Sequence, residues 1–354
     1  MNQDISFLER LLDAPGPSGF ETRPAGVWRD EAASFAKVWS DVVGNSYAAV
    51  RRDARPLALM AGHIDEIGLQ VTHADKSGLL YFAGIGGWDA QVLVGQRVRI
   101  LGARGDVPGV IGRKAIHLME PKERDVAVKV KKLWIDVGAG SRDELGELGV
   151  RVGDPAVLDG GMVRLAGDRV ASRAIDNRVG AFVVLEALRL LAGGDGGAGA
   201  VAVATAQEEI GYSGGGARTS AFDLSPDVAL VVDVTHATDV PGVEKTEVGE
   251  HSLGGGPVLT RGSSTHPAVF EILAETAEAN DIPYSIQAAP LRTATDADGI
   301  HLARGGVPTG LVSVPNRYMH SPCEMVATSD LFHVAHLLAA FVERLDEGVD
   351  FGRR

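Results

Sequence analysis

Of the 354 residues only one is a cysteine, Cys323. A single thiol excludes an intrachain disulfide and is compatible with a reducing cytoplasm. No stretch approaches the roughly 18 uninterrupted apolar residues that a membrane-crossing helix needs. The amino terminus, Met1-Asn-Gln-Asp-Ile-Ser-Phe7, lacks the basic segment and apolar run of a secretory signal. Positive charge is scarce too: 34 Lys+Arg against 47 Asp+Glu leave a formal net charge of -13. That balance repels nucleic acid and anionic membranes, so neither is expected as a partner. These absences predict a soluble cytoplasmic protein. With 45% hydrophobic residues, the chain can build one large core, or a large domain plus a smaller one.

The most informative stretch is Val201-Ala-Val-Ala-Thr-Ala-Gln-Glu-Glu-Ile-Gly-Tyr-Ser-Gly-Gly-Gly216. Its small and β-branched residues predict a buried strand, ending in two carboxylates, Glu208 and Glu209. Reactive groups of open α/β sheets collect beyond the carboxyl ends of strands. Adjacent side chains there point in different directions, so one glutamate can hold a metal while the other stays free as acid or base. For an isolated Glu-Glu the plain alternative is a solvated pair capping a loop.

Other strand ends repeat the pattern. Pro56-Leu-Ala-Leu-Met-Ala-Gly-His-Ile-Asp-Glu-Ile-Gly68 ends in His63 and Asp65, two apart and able to face one side. A histidine ligand commonly needs a carboxylate on its other ring nitrogen. The strand 227–232 leads to Asp233, with His236 and Asp239 ranked lower in the following loop. The strand 310–314 leads to His320 in a proline-bounded loop. Asp176 and Asn177 precede a helical segment at 179–191, where Asp176 can be a helix cap or a carboxylate bridging two cations.

The rest of the chain supplies the frame. Ile5, Leu8, Leu11 and Leu12 form a helical stripe that Ala14-Pro-Gly-Pro-Ser-Gly19 ends. Strands are expected near 35–38, 46–50 and 284–288, and helices at 266–279 and 329–345. Between about 69 and 167 short alternating segments predict a compact β-rich insert, with a capping box at Ser141-Arg-Asp-Glu144 opening a short helix. Within it, Lys129-Val-Lys-Lys132 is expected to be a solvated strand face. Gly84-Ile-Gly-Gly-Trp-Asp89 is no dinucleotide fingerprint, because no helix pattern follows. The loop Leu253-Gly-Gly-Gly-Pro-Val258 is either a plain turn or backbone free to approach a ligand. His333 and His336, on the closing helix, read as packing or surface residues.

Two imidazoles and four carboxylates without a thiolate suit zinc, cobalt or manganese rather than a closed structural zinc site. Five ligands, one of them bridging, suit two cations. His63-Ile-Asp65, Asp176-Asn177, Glu208-Glu209, Asp233 and His320-Ser-Pro322 resemble the motifs of di-metal aminopeptidases of the glutamyl aminopeptidase and tetrahedral peptidase type, some of them also labelled endoglucanase M-like. The segments 86–96, 254–257 and 317–322 are similar too. This resemblance covers nearly the whole chain in order.

The resemblance implies a mixed α/β catalytic domain of the zinc-peptidase type with helices on both faces, residues 1–66 and 168–354. It implies an inserted β-rich oligomerisation domain at 67–167. It implies two divalent metals per subunit held by His63, Asp176, Glu209, Asp233 and His320, with Asp176 bridging. Asp65 would orient His63 and Glu208 would be the general base; which terminal carboxylate serves which histidine stays open. The expected activity is removal of amino-terminal residues from short peptides, and the expected assembly is a dodecamer built from dimers. An N-acyl amino acid deacylase, a two-acid glycosidase and a non-catalytic metal-binding scaffold are the alternatives.

Overall fold

A computed structural model describes residues 4–194, 196–211, 215–346 and 348–352. The Tyr-Ser-Gly segment after the predicted Glu-Glu pair, 212–214, lies outside the described residues.

An eight-stranded mixed sheet forms the centre, in the order Lys37–Ser40, Ser46–Val50, Gly199–Thr205, Leu57–His63, Val228–His236, Thr309–Asn316, Val258–Gly262, Ser285–Ala289. The four middle strands run parallel, with Thr205 beside His63 and Asp233 beside Ser313. Their residues are small and apolar because both faces are covered. Leu57, Leu59 and Ala61 pack with Ala217, Ala221 and Ile300 on one face. Ala58 and Met60 turn to the other, against Phe7, Leu8, Trp28, Phe182 and Leu338. The alternation is the two-residue period of a strand read out by two separate cores.

Immediately beyond His63 the chain leaves the sheet and builds a closed six-stranded barrel from Gly68–Ala74, Leu79–Ile85, Trp134–Asp136, Gly105–Gly112, Arg97–Gly102 and Pro155–Leu158. Closure removes the exposed edges. Leu69, Leu80, Ile100, Ile111 and Ile135 fill a core separate from those of the sheet. The chain then returns through the strand Arg169–Ser172 into the helix Ile175–Ala192. Among the described residues no helix is long and apolar enough to cross a membrane.

The structure departs from the sequence reading at several points. A helix at Thr22–Ala32 was not anticipated; it buries only Pro24, Ala25, Trp28 and Ala32, too sparse a stripe to stand out. Residues Val130–Lys132 form a 3₁₀ turn rather than a strand face, which swings Leu133 into the barrel core. One helical turn, Ala90–Leu93, does follow Asp89, whose side chain caps it. At Ser141 the hydroxyl caps the Glu144 amide, but the Glu144 carboxylate takes the Gly140 N–H, so the box is half formed. The Gly254 and Gly256 amides both donate to the Asp330 carboxylate at 2.8 Å. That loop is therefore a turn pinned from within.

Candidate metal centre

Each predicted ligand reaches the same point by a different route. His63 is the last residue of its strand. Glu208 and Glu209 follow Gly199–Thr205 after a turn in which Gln207 has a φ of 63°. Asp233 was expected past a strand end but sits inside one, because that strand continues to His236. His320 (φ 59°) lies four residues beyond Asn316.

Asp176 shows most clearly how local sequence and tertiary structure divide the work. The helix containing it is not helical at Asp176 and Asn177. Asn177 does the capping, accepting from the Gly180 N–H at 3.0 Å and donating to the Val232 carbonyl at 2.7 Å. Asp176 is thereby released to face the imidazoles. Two glycines bring the helix this close: a Cβ on Gly62 would stand 2.5 Å from the Gly180 carbonyl carbon.

The Asp176 Oδ1 is 3.2 Å from His63 Nε2, and its Oδ2 is 3.3 Å from His320 Nε2. His63 Nε2 also has Asp233 at 3.8 Å and Glu208 at 3.7 Å, while His320 Nε2 has Glu209 at 3.4 Å. His63, Asp176 and Glu209 offer ligand atoms all within 4.8 Å of one another. Behind His63, Asp65 places Oδ1 3.4 Å from Nδ1.

Sequence reasoning missed two participants. Glu324, fully buried, accepts from the Asp176 N–H at 2.9 Å and the His320 N–H at 2.7 Å, so one carboxylate fixes both backbones. Asp296, also buried, accepts from the Thr205 hydroxyl and lines the cavity; its Oδ1 has no hydrogen-bond partner among the described residues. Glu324 opens a short strand and Asp296 shares the first turn of a short helix with Asp298, ordinary places for an acid, so nothing in the local pattern marks them. Of the lower-ranked pair, His236 lines the cavity, whereas Asp239 is turned aside to Arg317 at 2.7 Å.

The electrostatics are lopsided. Burial pushes the Glu208 carboxyl up to about 10 and Glu209 up to about 7, and lifts Asp233 well above the usual range. Asp176 is held below that range, because the His320 and His63 hydrogen bonds outweigh its burial. Asp176 and Glu209 raise His320 to about 11. Burial alone would lower His63, but Asp176, Asp65 and Glu208 raise it instead. The set of imidazole nitrogens and carboxylate oxygens, with no thiol, fits divalent cations such as zinc, cobalt or manganese. Glu209 Oε1 supports the fit: it is buried without a hydrogen bond among the described residues, a position costly to leave unfilled.

The cluster floors a cavity of about 1010 Å³ walled by Arg218, Thr235, Gln287, Leu291, Arg292 and Leu302. The barrel reaches over it: a Cβ on Gly87 would stand 3.3 Å from His320 Nδ1.

Acids and imidazoles gathered at the carboxyl ends of parallel strands, under a peptide-sized cavity, define a metallohydrolase of mixed α/β architecture. The chain belongs to the M42 glutamyl aminopeptidase family, whose model matches residues 44–337. It is 34% identical to a lysyl aminopeptidase of Pyrococcus furiosus, over 97% of each chain. The TET aminopeptidase of a marine-sediment Thaumarchaeota archaeon superposes with a TM-score of 0.91 at 35% identity, covering 97% of this chain and 96% of that one. The TET1 peptidase of Pyrococcus horikoshii, described as assembling into a tetrahedron or a large octahedral shell, gives 0.84 at 29% identity, covering 96% and 99%. The protein is accordingly a metal-dependent aminopeptidase, a hydrolase acting as an exopeptidase. The deacylase, glycosidase and scaffold alternatives are not favoured.

Proposed function

We propose that His63 and Asp233 hold one divalent cation and His320 and Glu209 a second, with Asp176 between them and Glu208 left free as general base. The observation that carries this is the Asp176 carboxylate, one oxygen on each imidazole at 3.2 and 3.3 Å. When bound, such cations lower the pKa of a water from about 15.7 toward neutrality and polarise the scissile carbonyl.

The protein's own groups then have separate tasks. Asp65, with Oδ1 3.4 Å from Nδ1, is placed to orient His63 and leave Nε2 turned to the cavity. Glu324 holds the Asp176 and His320 backbones. Glu208 takes the proton of the attacking water and returns it to the departing amine, one group serving both halves of the reaction. The substrates are short peptides with a free α-amine, and zinc or cobalt is the expected metal, with manganese the alternative.

The assembly is a dodecamer built from dimers, with residues 67–167 as an inserted unit contributing contacts and residues 1–66 and 168–354 as the catalytic unit. In support, Val110, Ile116, Leu118, Val126, Leu148 and Val152 of the insert expose apolar surface. A cytoplasmic location fits the single, unpaired and exposed Cys323.

The test is a panel of free-amine and amino-blocked chromogenic substrates with added zinc, cobalt or manganese, run alongside a sizing measurement. Turnover of free-amine substrates only, abolished by chelation, supports the reading; turnover of blocked substrates instead overturns it.

A further inference from the structure

The loop carrying Glu208 is tied down from the amino-terminal end of the chain. The segment after the first helix lies along Glu66: Ser18 N–H donates to the Glu66 carbonyl at 3.1 Å, and the Ser18 hydroxyl donates to Asp65. Three residues on, Glu21 is buried, 6% exposed. It occupies the cap position of the helix Thr22–Ala32, yet its side chain makes no capping hydrogen bond. Instead its Oε1 accepts from the Gly19 N–H at 2.6 Å and the Gln207 N–H at 3.2 Å. The next two amides are held as well: Glu208 N–H donates to Asp65 Oδ1 at 3.2 Å and Glu209 N–H to Oδ2 at 3.0 Å. Three consecutive N–H groups are thus gathered by two buried carboxylates. Gln207, the first of them, has a left-handed backbone that non-glycine residues seldom adopt, so it needs an external tie to stay there.

We infer that Glu21 is a positioning residue for the reaction: by holding the Gln207 amide it fixes the backbone from which Glu208 projects. This rests on reading Glu208 as the general base. Asp65 holds the two amides that follow and Ser18 but does not reach the Gln207 amide, whose hydrogen bond goes to Glu21. Burial pushes the Glu21 carboxyl up to about 7, against the opposing pull of the Gly19 N–H. One oxygen accepts in either protonation state, so a glutamine of the same shape keeps the tie. An aspartate, one methylene shorter, does not.

The experiment compares wild type with E21A, E21Q and E21D. Metal content, kcat and KM are measured on the metal-loaded protein, and hydrogen exchange at the Gln207 amide on the metal-free chain. For E21A the expected result is a fall in kcat of about 10–100-fold, the effect of displacing a catalytic group by a fraction of an ångström to about one. KM and metal content are expected to be unchanged, because the Glu209 amide stays on Asp65, and exchange at Gln207 is expected to accelerate. E21Q should restore both kcat and protection, while E21D should behave as E21A.

Wild-type kcat and wild-type Gln207 protection in E21A overturn the inference. So does a loss in E21Q equal to that in E21A. Should E21A not fold, E21D matching E21Q in kcat and exchange overturns it equally. The exchange result is independent of the general-base reading, which fails separately if metal-replete E208Q stays active.

Discussion

Two buried charge clusters begin at adjacent residues and end differently. Glu66 is clasped by Arg173 and by Arg178, the latter at 2.8 Å, and every one of these side chains is at most 6% exposed. Burial would raise the Glu66 carboxyl, but the two guanidiniums hold it below its usual range. Arg178 spends its remaining donors on the carbonyls of Leu11, Ala14, Gly16 and Ile64. A step earlier, Asp65 opens onto the other cluster: Asp176, Glu208, Glu209 and Asp233 around two imidazoles, with Asp296 and Glu324 behind. No guanidinium or ammonium pairs with them among the described residues. Burying ionised groups is costly unless a countercharge comes with them. The Glu66 cluster contains its countercharge and is architecture; the other sets only two imidazoles against a larger number of acids, leaves the balance to come from outside, and is a site.

The largest expected effect sharpens that division. Glu208→Gln should lower kcat by about 10²–10⁴-fold with metal content intact. The melting temperature of the metal-free chain should not fall, since burial pushes the Glu208 carboxyl up to about 10 and a glutamine replaces an already uncharged group of the same shape. Kinetics and calorimetry on one preparation check both.

Glu66→Ala should do the reverse. It leaves two buried guanidiniums unpaired and should cost about 3–5 kcal/mol in denaturant unfolding. A loss below about 1 kcal/mol would show that the arginines find other partners.

The clusters should also separate with pH. Glu209 is raised in the folded chain from 4.5 to about 7. Its preference for the protonated form stabilises the fold below 4.5, and that stability is lost as pH rises through 7. His63 and His320, raised by their carboxylates, add a loss of the same sign above 6.5. Glu66 is lowered, so its contribution is present above 4.5 and lost only on acidification. Of the two clusters, only the metal cluster moves between pH 5 and 7; outside them, Glu21 and Asp330, raised by burial to about 7 and about 6, add a loss of the same sign. The metal-free protein should lose at least on the order of 1–3 kcal/mol across that interval, and saturating zinc should reduce the slope to what Glu21 and Asp330 leave.

The smallest effect belongs to charges left in water. Arg99 and Asp159 pair at 2.7 Å on the barrel surface with about a third of each side chain exposed. A double-mutant cycle there should give about 0.2–1 kcal/mol, shrinking with salt.

Much of this division was legible in the sequence, because strands covered on both faces must be unbroken runs of small apolar residues, and chemistry at their ends then stands out. His63, Glu208, Glu209 and His320 could be found that way. Asp176 could not be separated from a helix cap, since capping and bridging ask for the same carboxylate. What separates them is Asn177 taking the cap and the Gly62–Gly180 approach, both products of the fold. Glu21, Asp296 and Glu324 stand at the starts of a helix, a short helix and a strand, where an acid is unremarkable, and each acquires its task only when distant segments meet. Glu66 appeared in the sequence beside Asp65 with nothing to tell a structural carboxylate from a working one. Its arginines come from more than 100 residues away.

The most direct test is anomalous diffraction from crystals grown with excess zinc or cobalt. The account predicts two peaks in the cavity floor, with Asp176 contacting both and Glu208 contacting neither. A single peak, none, or Glu208 bound in place of Asp176 would contradict it.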